Sequence, residues 1–378
     1  MIYLDYNATT PIDKEVADAM IPYLYGNFGN PSSTHELGII AKKAVEQARE
    51  SVAKLLNASA SEIVFTSCGS ESNNTVLKGV AHTYKNKGNH IITSQIEHPS
   101  ILNPCHFLED MGYDVSYVQV DEFGMVDPKE IGKLITEKTI LVSIMHSNNE
   151  VGTIQPIKEI SEICMKRNVL LHTDASQSIG KVNIDVKNLG VDFLTLAGHK
   201  LYAPKGIGAL YIRNGIRIEP LIHGAGHENE RRAGTENIVL EVGLGKAAEI
   251  SIIALEDSQI QKMTDYFYKQ LHEIFGDAIK LNGHPEKRLP NTLNISFIGY
   301  NGHEVLEKLN GIAASTGSAC HSGMTSISPV LTAMGVTEDV GRGAIRFSLG
   351  RHTTKEEIDI VVESLKKVII KPKTEEMK

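Results

Sequence analysis

Between Ile63 and Ile212 short apolar runs alternate with amphipathic stretches, and this alternation restricts the chain to one class of fold. Ile63–Thr66, His90–Ser94, Val115–Val120, Ile140–Met145, Val169–His172 and Phe193–Leu196 are runs of four to six residues, each with the length and composition of a buried strand. Ala41–Leu56 and Pro156–Arg167 space their apolar residues as helices do. Strands alternating with helices predict a mostly parallel sheet covered on both faces, since each parallel pair needs a crossover and its helix packs back on the sheet. Ala209–Ile212 reads as one more strand, with an antiparallel placement open to it.

The pattern changes after Ile238. Ile238–Phe275 is helix-rich and contains no strand run. Thr292–Phe297, Ile312–Ser315 and Ala344–Ser348 then read as strands, followed by a last helix from Thr354 to about Ile370. The expected architecture is α/β, with a large domain over residues 13–253. Residues 1–12 and 254–378 form a smaller α+β domain, and the boundary lies within Glu249–Gln261. The 378 residues contain 41% hydrophobic and 22% charged side chains, enough for ordinary cores without staples. A net charge of -8 argues against nucleic acid or a membrane surface as partner. Four cysteines without a CxxC pair point to a reducing cytoplasm, with neither a disulfide framework nor a metal site. The start, MIYLDYNATTP, is not a signal peptide, and no run approaches the length of a membrane span.

In open α/β sheets ligands gather at the carboxyl ends of the strands, and the unusual residues of this chain fall there. Ser67-Cys68-Gly69-Ser70 leads into a helix, a setting that offers free amides and a positive dipole end to a phosphate. His98 follows the second run, Asn149 the fourth, Asp174 and Gln177 the fifth, and His199 and Lys200 the sixth. Singly, each has an ordinary reading as a turn, a cap or a solvated loop residue. Together an acid at one strand end and a lysine at the next describe a pyridoxal phosphate site, where Asp174 holds the pyridinium proton and Lys200 forms a Schiff base. Arg346 alternates with apolar residues on a strand, and its planar fork suits a substrate carboxylate, although a surface arginine would show the same pattern. Cys320 lies in a Gly/Ser-rich stretch, an unusual setting for a structural cysteine.

LDYNATTP, SESNN, EHPS, NNEVGTIQP, HTDASQ, GHK, PKGIGALY, RRAGTEN, GSAC and IRFSLGRHTT occur here in the order they take in NifS/IscS-type cysteine desulfurases, and the chain resembles that family along nearly its whole length. The resemblance implies a fold-type I pyridoxal 5'-phosphate enzyme, a homodimer, and sites completed across the interface. By the same resemblance Lys200 would carry the cofactor, Asp174 would pair with its ring nitrogen, and His98 would stack on the ring and relay protons. Gln177 would bond the phenolate oxygen, with Asn149 near that oxygen and the substrate carboxylate. Gly69, Ser70 and His199 would hold the phosphate, joined by Thr235 of the second subunit. Arg346 would take the substrate carboxylate, and Cys320 would be the nucleophile.

The implied reaction converts L-cysteine to L-alanine. Lys200, displaced by substrate, removes the α-proton, and the Cys320 thiolate takes the sulfur as a persulfide for a protein acceptor such as an iron–sulfur scaffold. Ala197, where many members carry Ser, and the string ACHS are shared with selenocysteine lyases, which makes selenide release from L-selenocysteine the second expectation. Cys68 replaces the usual Gly of the phosphate loop. A carrier protein without catalysis would leave the lysine and the acid unexplained. An ordinary aminotransferase would leave Cys320 without a role.

Overall fold

The structure is a computed structural model that describes residues 1–317 and 327–369. In chain order its strands are β1 (Ile2–Tyr3), β2 (Ile63–Thr66), β3 (His90–Ser94), β4 (Asp114–Val118), β5 (Thr139–Ser143) and β6 (Leu170–Asp174). They continue with β7 (Phe193–Ala197), β8 (Gly208–Ile212), β9 (Ile279–Asn282), β10 (Thr292–Phe297), β11 (Ile312–Ala313) and β12 (Ala344–Ser348). Among the described residues these strands form a seven-stranded sheet of order β2-β8-β7-β6-β5-β3-β4, a three-stranded sheet β12-β10-β9, and the pair β1-β11.

Strand alternation builds the large sheet's two faces. Ile63 and Phe65 point to one core and Val64 to the other; Ile92 and Val142 join the first, Ile91 and Leu141 the second. Helices 36–56, 157–167 and 238–254 close the first face, and helices 69–84 and 99–110 the second. Removing one large apolar side chain from water stabilises the fold by roughly 1.5–3 kcal/mol, so both covered faces contribute heavily. Strands β3 to β7 pair in parallel, whereas β8 runs antiparallel between β7 and β2. The C-terminal ends of β2, β3, β5, β6 and β7 therefore share one edge.

At the outer side of β2, the side chains of Arg49 and Glu228 occupy backbone groups that a sheet edge would otherwise leave open. Arg49 Nη1 donates to Ile63 O at 3.1 Å, and Phe65 N donates to Glu228 Oε2 at 2.8 Å. The two side chains also pair in two places, at 2.6 and 2.8 Å. The antiparallel β9-β10-β12 sheet packs against helices 259–275 and 355–368 around Phe267, Phe297 and Phe347.

Some elements depart from the sequence reading. Ile238–Phe275 is two helices, Ile238–Ala254 and Gln259–Phe275, separated at residues 255–258. Pro104 and Cys105 are both buried within helix Pro99–Asp110, which tolerates the proline. The Ile312–Ser315 strand shortens to β11, because Ser315 turns away to bridge Arg346. Strands β1 and β9 carry too little periodicity to stand out.

Candidate functional site

Each strand end delivers one part of a common cavity of about 390 Å³. Lys200, Asp174, Gln177, His98, Asn149 and Arg346 all line it, as do Gly69, Ser70 and His199. Thus every described residue proposed from the sequence reaches this space except Thr235. Thr235 is exposed, on a segment tied to the phosphate-type loop by Arg232, whose Nε donates to Glu71 Oε1 at 2.9 Å. Cys320 lies outside the described residues.

The register explains how the loop after β2 meets the lysine. Thr66 and Ala197 both pair with Gly208, so residues 67–70 leave the sheet beside Gly198–Lys200. A Cβ on Gly208 would lie 2.8 Å from Leu196 O and 2.9 Å from the Cys68 carbonyl carbon, so only glycine admits this approach. Helix Gly69–Tyr84 starts here, and Cys68 caps it without a side-chain hydrogen bond, which leaves N-terminal donors for an anion.

A hydrogen-bond chain organises the opposite wall. Asp174 Oδ1 accepts from Ser176 N at 2.9 Å, and its Oδ2 accepts from Asn73 Nδ2 at 2.7 Å. Asn73 Nδ2 also donates to Ser100 Oγ at 2.8 Å. The Ser100 hydroxyl and amide both address His98 Nδ1, at 2.8 and 3.1 Å. Because that nitrogen accepts from an N–H, the ring is neutral with its proton on Nε2. Burial agrees, holding the His98 pKa below the ordinary imidazole value against the pull of Asp174. Underneath, His172 is kept neutral by burial, its pKa pushed down to about 4, between Ser143 Oγ and Thr195 Oγ1.

Burial, with the nearby Arg346 charge, lowers the Lys200 pKa to about 8 in spite of Asp174 and Asp5. Its Nζ donates to Asn7 O at 2.5 Å and to Ala8 O at 2.8 Å. His199 is pushed to about 4, mainly by burial and then by Lys200. Arg346 donates to Asn149 O at 3.0 Å and to Asp5 Oδ1 at 2.6 Å, while its buried Nε has no partner among the described residues. Gln177 Nε2 donates to Asn7 O at 2.9 Å.

The sequence reading missed Asn7, Ala8, Ser100, Ser147 and Ser176 as cavity residues, and Asn73 behind them. A signal existed for Asn73 and its neighbour Ser72: both are polar yet fully buried, on the face of an amphipathic helix that should be apolar. Asn7 lies within LDYNATTP, the first of the shared motifs, but its composition gives no role and the chain start is distant in sequence from a sheet beginning at Ile63. Among the described residues no group of three His, Cys, Asp or Glu could hold a metal, and no helix is long and apolar enough to cross a membrane.

Comparison with known proteins agrees with this architecture. The class-V aminotransferase family model matches residues 2–361. The cysteine desulfurase IscS of Dictyoglomus turgidum is 48% identical over 378 residues, covering 99% of this chain and 95% of that protein. The cysteine desulfurase IscS of Methanosarcina thermophila is 49% identical over 374 residues, covering 98% and 92%. A solved NifS-like protein superposes with a TM-score of 0.91 at 40% identity, covering 97% of this chain and 98% of that one. SspA in complex with cysteine superposes with a TM-score of 0.85 at 39% identity, covering 94% and 100%.

Enzymes of this family use pyridoxal 5'-phosphate, and the residues of the cavity fit that group. One wall carries a fixed carboxylate acceptor, another a lysine of lowered pKa, and a third an uncapped helix start. The chain belongs to the class-V aminotransferase family, in the branch of the cysteine desulfurases.

Proposed function

We propose that this protein converts L-cysteine to L-alanine and passes the sulfur, as a persulfide on Cys320, to a protein acceptor such as an iron–sulfur scaffold. The observation that carries this reading is the meeting of Lys200, Asp174 and Arg346 in one cavity of a chain 48% identical to a cysteine desulfurase.

Bound pyridoxal phosphate supplies an electron sink for the pair left when the substrate loses its α-proton. The protein does the rest. Gly69, Ser70 and His199 hold the phosphate, with Thr235 of a second subunit. Asp174, aimed by Asn73 and Ser176, would serve the ring nitrogen as an acceptor. Gln177, whose Nε2 keeps a second N–H beyond its bond to Asn7 O, would bond the phenolate oxygen, with Asn149 near it. Each terminal nitrogen of Arg346 keeps a second N–H for the substrate carboxylate beyond its bonds to Asn149 O and Asp5.

Lys200, with its pKa near 8, is neutral in a useful fraction at physiological pH and accepts the α-proton. His98 would stack on the ring and relay protons, taking up one for each it gives so that the imidazole ends neutral. The Cys320 thiolate attacks the substrate sulfur; the S–S bond forms as the C–S bond breaks, and the electron pair stays with carbon. The substrate's thiol proton goes to that carbon and the proton held by Lys200 returns to the α-carbon, which completes alanine.

Thr235 and the exposed apolar side chains Ile21, Leu24, Tyr25 and Phe28 support a homodimer; we also place the protein in the cytoplasm, with residues 13–253 as one domain and residues 1–12 and 254–378 as the other. Steady-state alanine formation from L-cysteine and L-selenocysteine, by the wild type and Cys320→Ala, tests the reading. We expect ready turnover of cysteine, lost in the variant. Unchanged sulfide release by Cys320→Ala overturns the role of the thiol, and a preference for selenocysteine by orders of magnitude would identify a selenocysteine lyase.

A further inference from the structure

Asn7 is 1% exposed and joins β10 and β12 of the three-stranded sheet to the segments that follow β5 and β6 of the large one. Its backbone N donates to Ser348 Oγ at 2.9 Å. Its Nδ2 donates to Thr292 Oγ1 at 2.8 Å and to Asn149 O at 3.2 Å. Its Oδ1 accepts from Asn291 Nδ2 at 3.1 Å and from Lys181 Nζ at 3.2 Å. The orientation of the amide is forced, because Asn149 O can only accept and Lys181 and Asn291 Nδ2 supply donors. With the side chain locked in this way, the Asn7 carbonyl cannot move. That carbonyl and the next one, of Ala8, receive the Lys200 amine.

Resting on the reading of Lys200 as the lysine that carries the cofactor, we propose that the Asn7–Ala8 carbonyl pair is the seat of the Lys200 ammonium whenever that amine is detached, and that Asn7 is the positioning residue that holds the seat. A detached Lys200 that takes the α-proton becomes an ammonium, with the electron pair left on the substrate carbon. Two carbonyl oxygens favour that charged form over the free amine, since they accept from N–H and have nothing to donate. The seat thus stores the proton beside the site and keeps the ammonium from folding back onto Arg346. The other charges around it are Arg346 and Lys181 on the repulsive side and Asp174 and Asp5 on the attractive side, with His98 and His199 close by. Lys181 is itself pushed well below the ordinary lysine value by burial, Lys200 and Arg346, which limits its repulsion.

The test uses the full chain freed of cofactor. The rate at which added pyridoxal phosphate forms its visible-absorbing Schiff base is followed from about pH 6 to 10, giving the apparent pKa of the attacking amine. Asn7→Ala keeps the backbone bonds to Ser348 and Gln177 but removes the four side-chain bonds that hold the carbonyl in place, and we expect the pKa to fall by about half a unit to one unit as the ammonium loses support. Asn291→Ala removes one of those bonds and no charge, so it should move the pKa the same way by less. It also carries the test if Asn7→Ala fails to fold. An unchanged or raised pKa in a folded variant overturns the seat, and a merely structural Asn7 would lower the melting temperature without moving the profile. Borohydride reduction and peptide mapping separate this from the functional reading. A label on another lysine refutes the assignment of Lys200, whereas a label on Lys200 with no shift refutes the seat alone.

Discussion

Arg49 and Glu228 form the buried pair whose loss should be felt most. Their side chains are 6% and 3% exposed, so neither charge can turn to water. Replacing Arg49 by Met keeps the volume and strands the Glu228 carboxylate with the Phe65 amide as its remaining donor among the bonds described above. An uncompensated buried charge of this kind costs about 3–5 kcal/mol. The backbone adds to the effect: Glu228, Asn229 and Glu230 all have left-handed φ, at 51°, 54° and 66°, a strained run that the ion pair holds in place. At roughly 2.1 cal/mol/K per residue, the 378 residues carry an unfolding entropy near 0.8 kcal/mol/K, so the loss corresponds to a fall in Tm of about 4–6 °C. Equilibrium urea unfolding of Arg49→Met, Glu228→Gln and the double variant measures it. The double variant should lose at least about 1 kcal/mol less than the sum of the singles, because the second substitution removes the stranded charge. A cost below about 1 kcal/mol for Arg49→Met, or strict additivity, would refute the argument that this pair closes the sheet edge.

Two other buried carboxyls set a pH dependence. Burial raises Glu97 to about 8 and Glu150 to about 7, against about 4.3 in an unfolded chain, so the folded protein binds more protons between those values. Stability should therefore fall as pH rises from about 5 to 8, and Glu97→Gln should flatten that slope; urea midpoints at pH 5, 7 and 8.5 that decline equally in both proteins would contradict it. Thiol labelling with peptide mapping gives a third check. Cys105 and Cys164, buried and with pKa values pushed to about 12, should stay unlabelled, while half-buried Cys68 reacts and is slowed by saturating pyridoxal phosphate. Labelling of Cys68 at the same rate with and without cofactor would place the phosphate elsewhere.

The sheets were legible because β2, β3, β10 and β12 are buried throughout and coincide with apolar runs, and because the helices between them are amphipathic. Lys200 and Asp174 could be read for a similar reason: a charged residue closing an apolar run is conspicuous. The chain from Asp174 through Asn73 and Ser100 to His98 could not, because Asn and Ser are also the ordinary residues of helix starts, and only the packing of two helices on one sheet brings them together. Glu97 and Glu150 sit in short polar stretches after β3 and β5, where an acid carries no sign of burial. Their burial follows from the sheet edge and the β9-β10-β12 layer closing over them, a tertiary effect without a local signature. The left-handed run at 228–230 contains no glycine that would have announced it.

The bond between Asn7 and Ser348 joins residues 341 positions apart, and the same asparagine presents its carbonyl to Lys200. A chain emerging from the ribosome can complete its seven-stranded sheet once residue 212 is free, but it cannot clamp Asn7 until nearly the whole sequence has been made. Until then the lysine lacks its carbonyl partners and the cavity lacks Arg346, so the growing chain holds a formed sheet beside an unfinished site. Order of synthesis thus delays the finished site until β12 has paired with β10, and the N-terminal residues, made first, are among the last to reach their places.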